Sequence, residues 1–210
     1  SGYDAAVWQR IGAELGWTAI LIPEAYGGLG LGYVELVALM EEIGAALLCA
    51  PFFSTVCLAT NVLLIGANEE QKQQYLPGIA AGDTTATVAC SEPNGRWDAS
   101  GIEMVAQQRG DGFILNGTKT FVIDGHTADL LIVAARRDGS QGVEGVHLFV
   151  LPANTPGIEP RLLPTMDQTR KQAQIILRDV RLPAAALIGN QGDGWLILSQ
   201  TLDLAAVALS

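Results

Sequence analysis

Apolar residues recur every three or four positions over the first third of the chain, a spacing that predicts helices. Asp4 and Asn68 stand where helix N-caps belong, and Gly16 stands where a C-cap belongs. The segment Phe52–Ile65 is almost wholly apolar, as a helix buried on several sides would be. The predicted helices are residues 4–16, Tyr33–Leu48, Phe52–Ile65, and a short one from Asn68 through Tyr75 that ends at Pro77-Gly78.

From about Thr84 the apolar residues alternate with polar ones, which predicts β-strands. Turn residues separate the apolar runs at short intervals, the pattern of a sandwich or barrel. Asn116-Gly117 lies between two of these runs and predicts a hairpin, because type I′ turns need two positive φ angles. The predicted strands are Thr85–Ala89, Gly101–Gln107, Gly112–Leu115, Lys119–Ile123, Leu130–Ala135, Val146–Leu151 and Gln172–Leu177.

The last apolar segment, Trp195–Leu209, returns to helical spacing. Its apolar side chains predict a helix that packs against a partner outside these residues. The order of the patterns therefore predicts an α+β fold, with helices first, then an antiparallel β module, then the start of more helix.

Composition narrows the classes of partner. Acidic residues number 22 and basic residues 12, a formal net charge of −10, which argues against a nucleic-acid binder because such proteins concentrate Lys and Arg. The longest apolar stretches, such as Leu58–Ala67, are too short and too polar for a membrane span of ~20 residues. Cys49, Cys57 and Cys90 form no C-x-x-C pair and predict reduced, mostly buried thiols in a cytoplasmic protein.

Three features of the sequence could suggest a functional site, but the residues around each of them favour a structural role. Gly27–Gly32 reads G-G-L-G-L-G, but predicted helices flank it and no parallel sheet follows, so it favours a loop over a dinucleotide fingerprint. His126 and His147 are too few for a zinc site and lack ligand spacing, and His147 is expected in a strand. Glu41-Glu42 is expected on a solvated helix face. We therefore expect no metal site.

Five fragments, in order and over nearly the whole chain, resemble the flavin-dependent acyl-CoA dehydrogenases. They are E-L-G-W-T-A-I-L-I-P-E-A-Y-G-G-L-G-L-G (Glu14–Gly32), Y-L-P-G-I-A-A-G-D (Tyr75–Asp83) leading to C-S-E-P, G-F-I-L-N-G-T-K-T-F-V-I-D-G (Gly112–Gly125), D-V-R-L-P (Asp179–Pro183) and G-D-G-W (Gly192–Trp195). The resemblance implies a helical domain at 1–83, an antiparallel β-barrel at 84–190 and, at 191–210, the first helix of a truncated carboxyl-terminal helical domain.

The same resemblance implies an activity. Members of the family use FAD to convert an acyl-CoA thioester to the 2-enoyl-CoA and pass the electrons to an electron-transfer flavoprotein. A homotetramer or an α2β2 heterotetramer is implied. The run L-P-T-M-D-Q-T-R (Leu163–Arg170) resembles a divergent branch that acts on bulky acyl-CoAs such as steroid side chains.

The resemblance also implies where FAD lies, between the C-S-E-P strand and the Gly112–Gly125 segment. Ser91 keeps the hydroxyl that the family directs at the flavin pyrimidine edge, and Phe121 stands where a Trp usually packs beside the ring. The implied cofactor-binding residues are Val88, Cys90, Ser91, Phe121, Val122 and Ile123, and the implied substrate-binding residues are Arg96 and Trp97. Plainer roles remain open: a turn cap for Ser91, core strand positions for residues 121–123, and a solvated charge for Arg96.

Departures from the family pattern favour a second interpretation. Trp97 replaces a serine that faces the ligand phosphates, and Ile123 replaces a threonine, so that only its backbone N–H remains as a donor. Asp124 replaces the usual Asn, and Ala206 stands where an Arg is typical. The family's catalytic base is usually a Glu of the carboxyl-terminal bundle, so we name none here. The chain is therefore either part of the enzyme or a non-catalytic partner subunit with a degenerate flavin site.

Overall fold

The structure is a computed structural model that describes residues 2–210, and its first third is helical. Asp4 caps the first helix, because its carboxylate accepts hydrogen bonds from the N–H groups of Ala6 (2.8 Å) and Val7 (3.2 Å). Gly16 ends the helical segment at φ +66°, as predicted. The helices are α1 (Ala5–Gln9), continued by the π-helical Arg10–Glu14; α2 (Tyr33–Ala45); α3 (Thr60–Gly66), preceded by the π-helical Phe53–Ala59; α4 (Glu69–Ala80); and α5 (Gly194–Leu209).

Helix α4 does not end at Pro77-Gly78, so that prediction is wrong. The helix continues to Ala80, and the Ala81 N–H donates to the Pro77 carbonyl at 3.0 Å. Proline removes one donor, but Leu76 and Ile79 on either side of it are fully buried in the core. Their packing holds the last turn in place. Helix α2, in contrast, ends at Ala45, three residues before the predicted end.

The remainder of the chain forms one sheet that is mostly antiparallel. The strands are β1 (Ala86–Ala89), β2 (Val105–Arg109), β3 (Gly112–Ile123), β4 (Leu130–Arg137), β5 (Val146–Pro152), β6 (Ile158–Leu162), β7 (Gln172–Pro183) and β8 (Leu187–Ile188). Their order is β6-β7-β3-β2-β4-β5-β8, and β1 also pairs with β4. The β1–β4 and β2–β4 pairs are parallel. Over residues 2–210 no ladder joins β6 to β8.

The hairpin predicted at Asn116-Gly117 is wrong, because β3 runs unbroken through these residues. Only Gly117 of the two has a positive φ, +151°, whereas a type I′ turn needs two. The Asn116 side chain instead bonds to Asp179 of β7, accepting from its N–H at 2.8 Å and donating to its carboxylate at 3.2 Å. The dipeptide thus forms a bulge, and the hairpin lies between β2 and β3.

Strand β2 begins at Val105, later than the Gly101 that the alternation predicts. Ala99–Gly101 form a 3-10 turn instead, because the Asp98 carboxylate caps this turn by accepting from the Ser100 N–H at 2.8 Å. Residues 90–104 are therefore one long connection between β1 and β2.

Three apolar clusters form the core: one on each face of the sheet and a third among the helices, around Trp8, Leu36 and Phe52. Strand β4 contributes to both, with Ile132 facing the helices and Leu131 and Val133 facing the other strands. A strand buried on both faces reads as a continuous apolar run, as β4 does. Over residues 2–210 no helix has both the length and the hydropathy to cross a membrane.

Several features have the structural roles expected of them. The Gly27–Gly32 run is a loop, in which a Cβ on Gly28 would lie 1.8 Å from the Ile22 carbonyl oxygen. His147 lies in β5, and Glu41 and Glu42 are exposed on α2. The three cysteines are free, as expected, but only Cys57 is buried; Cys90 is half-buried and Cys49 exposed, so the prediction that they are mostly buried is wrong for Cys49.

Candidate functional site

The end of β1 and the second half of β3 lie side by side without a backbone ladder between them. Among residues 2–210, β1 pairs with β4 alone, while β3 pairs with β7 and, up to Asn116, with β2. Two hydrogen bonds cross the gap near its ends. The Thr120 N–H donates to the Ser91 carbonyl at 2.9 Å, and the Thr87 hydroxyl donates to the Ile123 carbonyl at 2.6 Å.

Main-chain groups of Val88 and Ile123 face this gap. The Asp124 N–H donates to the Lys171 carbonyl at 2.8 Å, so the alternation of an antiparallel ladder turns Ile123 away from β7. On the other side, the Thr85 carbonyl accepts from β4, so the alternation along β1 turns Val88 away from β4. Val88 therefore offers a backbone donor and acceptor to whatever lies between the strands, and Ile123 offers its N–H, since its carbonyl already accepts from the Thr87 hydroxyl.

Phe121 is an exposed aromatic residue in a strained backbone conformation. Its φ is +53°, it lies at the bulge between Lys119 and Val122, and 60% of its surface is exposed. A left-handed conformation costs a non-glycine residue about 1–2 kcal/mol, and such strain clusters at functional sites. These facts exclude a plain core role for Phe121. Val122 is buried in the strand core, however, and Ile123 is half-buried against the helix–sheet cluster.

Ser91 is half-buried and does not cap the turn that follows it. The turn is closed by the Gly95 N–H, which donates to the Glu92 carbonyl at 3.1 Å. Within residues 2–210 no backbone N–H donates to the Ser91 hydroxyl. This hydroxyl lies beside the Cys90 thiol, whose pKa is raised by burial and lowered, to a smaller extent, by Lys119 and Ser91. The turn-cap alternative for Ser91 is therefore not supported.

The loop after Pro93 presents Trp97 on an ordered frame. The Asn94 side chain accepts from the Arg96 N–H at 3.0 Å and donates to the Gly101 carbonyl at 2.9 Å. Trp97 is 92% exposed, and the Arg96 guanidinium donates to the Ser100 hydroxyl at 3.3 Å. Side-chain bonds within the loop thus order the backbone that carries an exposed indole and an exposed guanidinium.

Comparison with known proteins places these features in a family. A family model for the acyl-CoA dehydrogenase N-terminal domain matches residues 1–83, and one for the acyl-CoA dehydrogenase middle domain matches residues 87–180. The chain belongs to the acyl-CoA dehydrogenase family. It is 34% identical over 211 residues to the mitochondrial isovaleryl-CoA dehydrogenase of Pongo abelii, covering 97% of this chain and 49% of that protein.

Solved structures of acyl-CoA dehydrogenases share the fold. Butyryl-CoA dehydrogenase from Megasphaera elsdenii superposes with a TM-score of 0.91 at 30% identity, over 99% of this chain and 56% of that one. A glutaryl-CoA dehydrogenase from Mycobacterium smegmatis, in complex with FADH2, gives a TM-score of 0.86 at 26% identity, over 99% of this chain and 53% of that one. The chain thus spans about half the length of the relatives it matches.

A buried ion pair lies beside the gap. The Lys119 ammonium is 2.5 Å from the Glu92 carboxylate, and the side chains are 0% and 7% exposed. The carboxylate also accepts from the Met104 N–H at 3.0 Å. Burial lowers the pKa of Lys119, and the negative charge of Glu92 opposes this effect.

A half-buried carboxylate, Asp124, follows Ile123 and contacts the helical half. The Ser54 hydroxyl, from the π-helical segment before α3, donates to it at 2.8 Å. Burial raises the pKa of Asp124 to about 6, although Ser54, Arg170 and Lys171 each act to lower it. The carboxylate is therefore only marginally stable as an anion near neutral pH.

Sequence reasoning missed Glu92, Lys119 and Ser54. Glu92 and Lys119 belong to the C-S-E-P and Gly112–Gly125 fragments. The signal for Lys119 is a charged residue in a largely apolar strand, whereas Glu92 lies in the connection after β1 and gives no such signal. Ser54 gave no such signal, because a serine in an apolar helix has many structural uses. Among residues 2–210 no three His, Cys, Asp or Glu side chains cluster as a metal site would require.

Proposed function

We propose that this chain forms one side of the FAD site of an acyl-CoA dehydrogenase. The reaction is the α,β-dehydrogenation of an acyl-CoA thioester to the 2-enoyl-CoA, with electrons passed to an electron-transfer flavoprotein. The observation that carries the proposal is the gap between β1 and β3. Its edges offer unladdered main-chain groups of Val88 and Ile123, and the exposed ring of Phe121 lies beside it. A flat ring with donors and acceptors along its edge fits these groups.

Each residue of the site has a definite role in this proposal. The Ser91 hydroxyl donates to the pyrimidine edge of the flavin, main-chain groups of Val88 and Cys90 lie along the ring, and Phe121 packs beside it. The Ile123 N–H supplies the donor that a threonine usually adds, and Val122 anchors the strand through the core. FAD, when bound, would supply the acceptor for the hydride, which carries the two electrons. Fixed donors at the ring favour the negative charge that develops there.

Arg96 and Trp97 are proposed to contact the acyl-CoA. A guanidinium binds phosphate oxygens in a bidentate manner, and an exposed indole offers a stacking surface to a purine. The loop that carries them is ordered before any ligand binds, which lowers the entropic cost of binding. The α-proton of the thioester requires a base, and we assign none among these residues.

A second candidate function is a non-catalytic partner subunit of an α2β2 assembly. It is favoured by Trp97 and Ile123, which offer no side-chain hydroxyl at positions where the family usually has one. We keep the domain limits 1–83, 84–190 and 191–210 as part of the proposal. A cytoplasmic location and a tetramer, either of one chain or of two, are proposed with them.

The absorption spectrum of the purified protein tests the proposal. The protein is purified alone and together with any co-encoded homologue, and the flavin bands are compared with the protein band. Stoichiometric flavin that is bleached by an acyl-CoA under anaerobic conditions supports the enzyme. Flavin that appears only in the mixture supports the partner subunit, and no flavin in either preparation overturns both.

Replacement of Ser91 by Ala tests the role of its hydroxyl. We expect FAD binding to weaken by about 1–2 kcal/mol, the usual value of one hydrogen bond to a ligand. Titration of the apoprotein with FAD, followed by flavin fluorescence, measures the change. Ser100→Ala, in the exposed loop, serves as the control and should leave the affinity unchanged. Equal affinities in wild type and Ser91→Ala would remove Ser91 from the site.

A further inference from the structure

The buried ion pair of Glu92 and Lys119 lies where two segments of the proposed flavin site meet. Over residues 2–210 it is the one ion pair whose two side chains are both buried. Apolar residues of similar volume often serve stability as well as a buried pair does. The presence of this pair therefore calls for a reason other than stability.

Hydrogen bonds from residues 119 and 120 hold three consecutive residues of the first segment. The Lys119 ammonium donates to the Cys90 carbonyl at 3.4 Å and to the Glu92 carboxylate, and the Thr120 N–H donates to the Ser91 carbonyl at 2.9 Å. The next residue along β3 is Phe121, at the bulge. The pair thus connects the Ser91 segment to the strand that carries Phe121, because Glu92 is adjacent to Ser91 and Lys119 lies two residues before Phe121.

No ladder performs this task. Strands β1 and β3 are not paired, so their separation depends on the few bonds that cross the gap. The other buried cation, Arg136, donates to the carbonyls of Ala99 and Ile102 and so holds the following connection rather than the site. The functional groups of a binding site must be held to within about 0.5 Å by locked supporting residues.

We propose that Glu92 and Lys119 are positioning residues of the flavin site, which set the distance between the Ser91 segment and the Phe121 bulge. This inference rests on the proposed function. The inference predicts that loss of the pair changes the affinity for FAD and the absorption bands of the bound flavin more than it changes the stability of the fold. Neither side chain touches the flavin in this account, because both are buried behind the strands.

The test compares a double variant with a control that is damaged elsewhere. In Glu92→Leu/Lys119→Met the pair is replaced by apolar side chains, which preserves much of the stability. The control is Thr18→Val, which removes a buried hydrogen bond of 2.9 Å to the Ala80 carbonyl in the helical half. For each purified protein we measure the dissociation constant of FAD, the shape of the bound flavin absorption bands and the midpoint of unfolding without FAD.

We expect the double variant to bind FAD at least tenfold more weakly than wild type, with altered flavin bands. Thr18→Val should bind FAD with the same affinity as wild type, even if its unfolding midpoint is lower than that of the double variant. Equal FAD affinity and equal bands in the double variant and the control would overturn the inference and leave the proposed function intact. Absence of flavin binding in the wild type would overturn both.

A conservative variant keeps the test decisive if the double variant does not fold. Glu92→Asp retains both charges but withdraws the carboxylate by one methylene group from the Lys119 ammonium and the Met104 N–H. A positioning role predicts FAD binding about fivefold weaker than in Thr18→Val. A purely structural role predicts the same affinity in the two variants, and that result would overturn the inference.

Discussion

Glu92 is a buried carboxylate and Asp124 a half-buried one, and their partners differ in charge. Glu92 faces the Lys119 ammonium at 2.5 Å. Asp124 faces the Ser54 hydroxyl at 2.8 Å, and burial raises its pKa to about 6. A cation compensates a buried carboxylate, whereas a hydroxyl compensates it only in part. The first contact therefore depends on keeping both charges, and the second depends on pH.

The two contacts also join different parts of the molecule. The Glu92 contact lies within the β domain and connects the segment after β1 to β3, whereas the Asp124 contact connects the end of β3 to the helical half through Ser54. Both hold the strand that carries Phe121. We therefore expect loss of charge to damage the first contact and to strengthen the second.

Lys119→Met is expected to have the largest effect on stability. It leaves the Glu92 carboxylate buried without a cation, a loss of about 3–5 kcal/mol in the free energy of unfolding. Urea denaturation at pH 7.5 measures it. Arg161→Met is the control, because Arg161 forms an exposed ion pair with Glu159 and should cost less than about 1 kcal/mol. Equal losses in the two variants would show that the buried pair contributes no more than a surface one.

Asp124→Asn is expected to stabilise the protein at neutral pH. The folded state raises the pKa of Asp124 from 3.8 to about 6, so the folded state binds the proton more tightly than the unfolded state. The contribution of this group to the free energy of unfolding is fully present below pH 3.8. It decreases by about 3 kcal/mol in total as the pH rises to about 6. Asp124→Asn has no titrating carboxyl at this position, so its stability does not decrease in this way.

Urea denaturation of wild type and Asp124→Asn at pH 4 and pH 7.5 measures the difference. We expect a gain of about 2–3 kcal/mol for the variant at pH 7.5 and almost none at pH 4. Because other titrating groups are common to both proteins, their contributions cancel in the difference. A gain that is the same at both pH values would contradict the assignment of the effect to Asp124.

Ser54→Ala should have a smaller effect that depends on the state of Asp124. At pH 7.5 the ionised carboxylate loses its hydroxyl donor, at a cost of about 1.5–3 kcal/mol. In the Asp124→Asn background the same change should cost only about 1 kcal/mol, because a neutral hydrogen bond is lost. A double-mutant cycle by urea denaturation gives the coupling. Zero coupling would mean that the two side chains do not interact in solution.

Local sequence signals predicted the helices and most strands, because the interactions that begin and end these elements are made by residues close together in the sequence. Asp4, Asn68 and Gly16 have the capping roles that their chemistry indicates. Asn116-Gly117 failed because its alternative partner, Asp179, lies 63 residues away on β7. Strand β6 was missed since it contains Pro160 and lies exposed at the edge of the sheet.

The candidate site was predictable in part. The resemblance to the family indicated Ser91 and Phe121 as site residues. The backbone strain and exposure of Phe121 depend on the tertiary structure and could not be predicted from the local sequence F-V-I. The orientation of the Val88 and Ile123 backbone groups depends on which strands are paired. The pairing is given by the order of strands in the sheet, which the local sequence does not predict. The pairing of Glu92 with Lys119 across 27 residues is likewise a consequence of the fold.

The central claim is that the gap beside Phe121 binds the flavin ring, and Phe121→Gly tests it most directly. Glycine adopts a φ of +53° without strain, so the free energy of unfolding should be unchanged or higher by up to about 1 kcal/mol. Titration with FAD should nevertheless show an affinity at least tenfold weaker than that of wild type. A variant as stable as wild type that bound FAD with unchanged affinity would contradict the claim.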